Sequence, residues 1–156
     1  MTEDARFEDG REAPLNLGAL DAEDLQVVSS LVQDAVFPIT EMQWYREHQQ
    51  FGILLNRIRW EDTARDRHGV ERVQSVFAVG NVLSVASQGI DMSEKEMILS
   101  ILAVSFEPGE EPGGHLILTL AGDGAIRVAV EALEVQLRDT TRPYAAPSGK
   151  IPNHDI

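Results

Sequence analysis

Three side chains in the stretch Phe51–Trp60 (FGILLNRIRW) are suited to gripping a ligand: Asn56, Arg57 and Arg59. Read as a strand, the stretch projects Arg57 and Arg59 from one face, with Cβ atoms roughly 7 Å apart. Guanidinium groups so placed could hold a carboxylate or phosphate through paired, charge-assisted hydrogen bonds. Arg65, Arg67, His68 and Arg72 follow, so this is the least acidic part of an acidic chain. A plainer reading competes with it. The arginines would sit at the solvent end of the strand and pair with Glu61, Asp62, Asp66 and Glu71, and exposed pairs of that kind carry little energy. Asn56, between apolar neighbours, suits a bulge or turn as well as a ligand. Trp44, Tyr45 and Trp60 flank the region. Aromatics on adjacent arms usually pack into a core or its rim, but beside arginines and exposed they would form a protein-binding surface. The candidate binding residues are Trp44, Asn56, Arg57, Arg59 and Trp60.

Other chemistries find no foothold. The chain has no cysteine, which removes disulfides, thiolate metal sites and cysteine nucleophiles. His48, His68, His115 and His154 lack the spacing that puts two ligands on one metal. Glu107, Glu110 and Glu111 fall in a loop without the alternating carboxylates of a calcium-binding loop. There is no G-x-S-x-G elbow, and Gly122-Asp123-Gly124 lies between strand-like segments, the setting of a hairpin and not of a phosphate loop. No cofactor and no metal are called for. Acidic residues outnumber basic ones 26 to 13, giving a net charge of −13. That field repels nucleic acid and anionic membranes, so neither is expected as a partner. The N-terminus, MTEDARFEDGREAP, lacks the basic and apolar regions of a signal peptide, and no run approaches the ~18 apolar residues of a membrane span. The expected location is cytoplasmic.

The elements that must position these residues follow from periodicity. Residues 1–14 read as a disordered acidic lead-in, residues 15–139 as one folded domain, and residues 140–156 as an extended proline-rich tail. Leu15–Leu20 suits a short first strand. Asp21 is a good N-cap, and Leu25, Val28, Val32 and Ala35 form one apolar stripe, so the spacing predicts a helix over Asp21–Ala35 that ends before Phe37-Pro38. The period then changes to two. Met42 and Trp44 lead through the polar tip Arg46–Gln50 into Phe51, predicting a hairpin with a four- or five-residue loop. One face of the second arm carries Phe51, Ile53, Leu55, Arg57 and Arg59. A strand over Val70–Val79 and another over Val82–Ala86 flank Gly80-Asn81, which suits either a hairpin turn or a bulge in one bent strand. Met97–Phe106 is apolar at nearly every position, as in a central strand covered on both faces. Leu116–Ala121 and Ala125–Leu137 complete the set, with a slip in apolar phase near Glu131-Ala132. The fold class is α+β: a mostly antiparallel, bent, half-barrel-like sheet of about six to eight strands with one amphipathic helix near the N-terminus.

Several phrases together resemble a known family. They are Leu54-Leu55-Asn56-Arg57-Ile58-Arg59-Trp60-Glu61, the most specific, with Leu31–Val36, Ser87–Asp91, Phe106–Glu110, Pro112-Gly113-Gly114 and Gly124–Arg127. The chain resembles, over roughly Leu15–Asp139, a family of small proteobacterial proteins catalogued only as a domain of unknown function. The resemblance implies a cytoplasmic protein, often encoded near enzymes of histidine and cell-wall-precursor biosynthesis, and it brings no catalytic residues. The leading functional expectation is a non-enzymatic binding or adaptor module for a cytoplasmic protein partner. The alternative is a small-molecule or phosphometabolite sensor in which Arg57 and Arg59 grip a small anionic ligand. An enzyme, such as a hydrolase using Arg57, Asn56 and a carboxylate, stands third, with no motif in its favour.

Overall fold

The computed structural model describes residues 14–61 and 71–140, together with the backbone of residues 144–145. The regions 1–13, 62–70, 141–143 and 146–156, which include the acidic lead-in and most of the proline-rich tail, lie outside the described residues.

Asp21 opens the only α-helix among the described residues, α1 (Ala22–Leu31), and its carboxylate accepts a 2.8 Å hydrogen bond from Asp24 N. This satisfies one of the backbone donors that a helix start leaves unpaired. Leu25 and Val28 face the core, and so do Val32 and Ala35 beyond the last turn. The helix is four residues shorter than the apolar stripe suggests. Its continuation is given up because Asp34 turns left-handed (φ 64°), letting Asp34 N reach Ile101 O and Ile101 N reach Ala35 O, at 2.8 and 2.9 Å. Sheet hydrogen bonds take the backbone that more helix would have used.

The strands are β1 (Asn16–Ala19), β2 (Val36–Pro38), β3 (Met42–Tyr45), β4 (Gln50–Ile58), β5 (Glu71–Val79), β6 (Val82–Gln88), β7 (Ile98–Pro108), β8 (Gly114–Leu120), β9 (Ala125–Val130) and β10 (Val135–Asp139). A two-residue β11 (Tyr144–Ala145) pairs with β5, so the tail contains a short piece of regular structure. Among the described residues, ten strands of three residues or more exceed the six to eight expected. The excess arises where long apolar runs divide, at Gly80-Asn81 and at Glu131–Glu134, and where Val36–Pro38 pairs as a strand.

Every pairing is antiparallel, in the order β1-β10-β5-β4-β2-β7-β8-β9-β6. Two halves, β1-β10-β5-β4 and β7-β8-β9-β6, are joined at the front by β2, which pairs with β4 through Val36–Asn56 and with β7 through Val36–Ser100, Phe37–Leu99 and Pro38–Ile98. They are joined at the back by two chains that pass from one half to the other. β5 runs into β6, and beside it β9 runs into β10. Gly80 N bonds Glu134 O and Glu131 N bonds Asn81 O, both at 2.9 Å, while Asn81 adopts φ 56°. The Gly80-Asn81 step is therefore a bend in a continuous path and not a hairpin, since β5 and β6 do not pair. The phase slip at Glu131-Ala132 is the matching bend in the partner.

The bent sheet does not close, and its concave side holds the core. Phe37, Ile53, Phe77, Ile101, Leu116 and Leu118 are among its fully buried side chains, and α1 packs over the opening against β7 and β1. Ser29 Oγ on α1 accepts Val104 N at 2.9 Å, which satisfies the edge of β7 where β2 ends. β7 is central in the sheet but covered on one face only. Leu99, Ile101 and Val104 are buried, whereas Ile98 and Leu102 are exposed. The expectation of cover on both faces fails because Ile98, Ser100 and Leu102 alternate onto a face that nothing covers among the described residues; the bulge between Ile101 and Ala103 then shifts the phase and returns Val104 to the core. Among the described residues no helix is long and apolar enough to cross a membrane.

Candidate functional site

The β3–β4 hairpin forms as its pattern requires. Met42 pairs with Ile53 and Tyr45 with Gln50, around a four-residue tip in which Gln49 is left-handed (φ 53°). Along β4, Phe51, Ile53, Leu55 and Arg57 are all buried on one face, with Arg59 just past the strand's end also buried. The two arginines thus do share a face, and it is the core face. The solvent-end placement is overturned: the bent sheet and the neighbouring ends of β5 and β10 enclose them.

Neighbouring strands bring polar residues to the same level. The inward set of β5 is Val73, Ser75, Phe77 and Val79, and that of β10 is Val135, Leu137 and Asp139. Register places Ser75 between Leu55 and Asp139, so one polar layer closes the end of an otherwise apolar stack. Arg57 fills that layer with no exposure to solvent. Its Nε donates to Ser75 Oγ (3.1 Å) and Asp139 Oδ1 (3.3 Å), and its Nη2 donates to Asp139 at 3.0 and 3.2 Å. A fork formed by Nη1 and Nη2 holds the Glu61 carboxylate at 2.9 and 2.8 Å, and Nη1 also reaches Ile58 O at 3.3 Å. All five guanidinium protons therefore have acceptors. Asp139 is equally well held, taking Ser75 Oγ–H at 2.7 Å and Leu15 N at 2.8 Å. It ties the start of β1 to the cluster.

Arg59 Nη1 donates to Glu71 Oε1 at 2.7 Å, and its Nε lies 3.7 Å from Glu61 Oε2, with no hydrogen-bond partner for that nitrogen among the described residues. Arg72, also buried, bonds Asn56 Oδ1 through Nε and Asn56 O through Nη2 (3.0 Å). Two guanidinium groups, Arg57 and Arg59, and three carboxylates, Glu61, Glu71 and Asp139, thus meet here, while Arg72 and Asn56 pair on the opposite face of β4 and β5. For Arg57, burial alone would lower the pKa, but the hydrogen bonds and charges of Glu61 and Asp139 outweigh it and raise it further. Burial pushes Glu61 upward, and the Arg57 fork overcomes this and holds it below the usual carboxylate value. For Arg57 and Glu61 the pairing favours the charged form.

The aromatic candidates are not brought together. Trp44 pairs with Phe51 near the hairpin tip and packs against the core, half-buried. Trp60 lies past the opposite end of β4, half-buried, with its indole N–H on Gln33 O at 2.9 Å. Phe51 and Ile58 alone are separated by about 23 Å at the usual rise per strand residue, so no joint tryptophan patch exists. Tyr45 is 48% exposed at the tip. Asn56 holds Arg72 on the face of β4 opposite Arg57. Reading the residues one stretch at a time missed Ser75 and Asp139, although carrying the inward period of each strand one step further would have pointed both at the core.

The bent antiparallel sheet, the one α-helix among the described residues and the largely buried ion cluster define an α+β protein with polar residues turned inward at one end. The chain belongs to the family described as protein of unknown function (DUF2948), whose model matches residues 15–154. No curated protein and no solved structure matches it.

Proposed function

We propose that this chain is a non-enzymatic binding module that accepts an extended segment of a partner protein as an added strand on β6. The supporting observation is the edge itself. From Val73 to Ile90 the chain has no charged residue, although a quarter of the whole sequence is charged. The first half of that run, in β5, is covered by β4 and β10. The second half, β6, pairs among the described residues only with β9.

The geometry explains why the edge is open. β4 begins at Gln50, so its lane beside β5 ends as β5 bends into β6. The hairpin tip covers one more position, with Val82 N on Gln49 O at 2.9 Å, and Ser84, Ala86, Ser87 and Gln88 beyond it are exposed. Proteins usually guard such edges with charges, proline or very short strands. The outer end of β7 carries Glu107 and Pro108, and β1 has four residues, whereas β6 has seven and only a bulge between Val82 and Ser84. An added strand would run in line with β4 and gain main-chain hydrogen bonds along the edge, a common route to peptide recognition.

The alternative, an anion sensor built on Arg57 and Arg59, needs guanidinium protons to offer, and those of Arg57 already serve Glu61, Asp139, Ser75 and Ile58. At Arg57 a ligand would have to displace two carboxylates from a buried site, at a cost that one new ion pair does not cover.

Selection of random peptides displayed on phage against the whole chain tests the reading. Selected peptides are expected to shift the amide resonances of Ser84–Gln88 and to bind more weakly to Ala86→Lys, which puts a charge on the exposed strand. Peptides that bind while leaving those amides unmoved would overturn it.

A further inference from the structure

Resting on the strand-acceptor reading, we infer that the segment taken by β6 is an uncharged strand of about five residues flanked at both ends by lysine or arginine. The length follows from the uncovered positions, Ser84–Gln88, which span about 17 Å of strand. The flanks follow from the charges at either end of that edge.

At its far end β6 runs through Gly89 and Ile90 into Asp91, Glu94, Lys95 and Glu96, all exposed. Asp123 also stands there, on the β8–β9 turn whose backbone abuts Gly89. At the near end Glu131 and Glu134 bond to Asn81 and Gly80 through their backbones, and Glu134 Oε1 accepts Asn81 Nδ2 at 3.2 Å. The hairpin tip adds Arg46 and Glu47. Seven exposed carboxylates and two cations therefore bracket a neutral strand. Main-chain pairing supplies the hydrogen bonds of an added strand without choosing a sequence. The paired acidic ends supply the choice, since they favour positive flanks and repel negative ones. The same field disfavours a second copy of this chain, because antiparallel pairing of β6 with itself would bring acidic ends together between two bodies of charge −13.

The test uses three synthetic peptides with the centre Val-Thr-Val-Thr-Val: one with two lysines at each end, one with two glutamates at each end, and a lysine-flanked form with alternate central amides N-methylated. Each is titrated into the full chain with amide resonances recorded, at low salt and at about 0.5 M, where charge effects are largely screened. The lysine-flanked peptide is expected to shift Ser84–Gln88 and to bind at least ~10-fold more tightly than the glutamate-flanked one at low salt. High salt should close most of that gap, and N-methylation should abolish binding. In Glu94→Lys/Glu96→Lys the preference should weaken at least ~3-fold.

Equal binding of both unmethylated peptides at β6 would overturn the basic-flank inference and leave the strand acceptor standing. If no peptide moves the β6 amides, or N-methylation makes no difference, the strand acceptor itself fails. Self-association through β6, seen by sedimentation over a concentration series, would replace the basic partner with a second copy.

Discussion

Replacing Arg57 by methionine is the most direct test of the buried cluster. Methionine keeps much of the side-chain volume and removes the charge. Asp139, whose side chain is 1% exposed, would keep Ser75 Oγ–H and Leu15 N as donors but lose every guanidinium contact. Glu61 is 28% exposed and can turn toward water, so most of the penalty falls on Asp139. Removing one member of a buried ion pair costs about 3–5 kcal/mol, because the other charge is left without its partner. Against a total stability of about 5–15 kcal/mol this is a large share. For a chain of this length it lowers the thermal midpoint by about 6–20 °C.

Urea unfolding followed by circular dichroism at pH 7 measures the loss, provided the denaturant slope stays constant. The double variant Arg57→Met/Asp139→Leu separates charge from packing. With both charges gone, nothing ionised is stranded, and the double variant is expected to be more stable than the sum of the single losses by at least ~1.5 kcal/mol. A cost below about 1 kcal/mol for Arg57→Met, the range of an exposed pair, would refute the reasoning. So would strictly additive single losses.

Three other perturbations have defined outcomes. Because the folded pKa of Glu61 is lowered from 4.5, its contribution to stability is complete above about pH 4.5 and is lost as pH falls through the lowered value; Glu61→Gln should flatten that part of the stability curve, and an unchanged slope would count against the Arg57 fork. Ser29→Ala leaves the buried Val104 N–H without its acceptor and should cost about 1–3 kcal/mol, with faster hydrogen exchange at Val104. In Gly114→Ala the new methyl would overlap Glu107 O and lie 2.7 Å from Phe106 Cζ, so a loss of about 1–3 kcal/mol is expected in the same unfolding assay, and a neutral result would mean that the β7–β8 turn relaxes freely.

Much of the fold was legible because its signals are local. The Asp21 cap, the polar tip of the β3–β4 hairpin, the shared face of Arg57 and Arg59 and the phase slip at Glu131-Ala132 each depend on residues within one turn or a few strand positions. What the sequence left open depends on partners far along the chain. Gly80-Asn81 reads equally well as a turn or a bend, and its pairing with Glu131, Ala132 and Glu134, some fifty residues further on, selects the bend. The length of α1 was overestimated because the apolar stripe persists past Leu31. Burial of Val32 and Ala35 does not require helix once Ile101 can take the backbone hydrogen bonds.

The candidate site divides in the same way. Alternation along β4 put two arginines on the face of Phe51, Ile53 and Leu55, and the composition supplied enough carboxylates to pair them. Only the tertiary structure decided that this face stays buried to its end, that Asp139 from 82 residues away meets Arg57, and that Trp44 and Trp60 stand at opposite ends of β4. Side-chain periodicity is a property of one strand, whereas burial and charge pairing are set by which strands lie beside it.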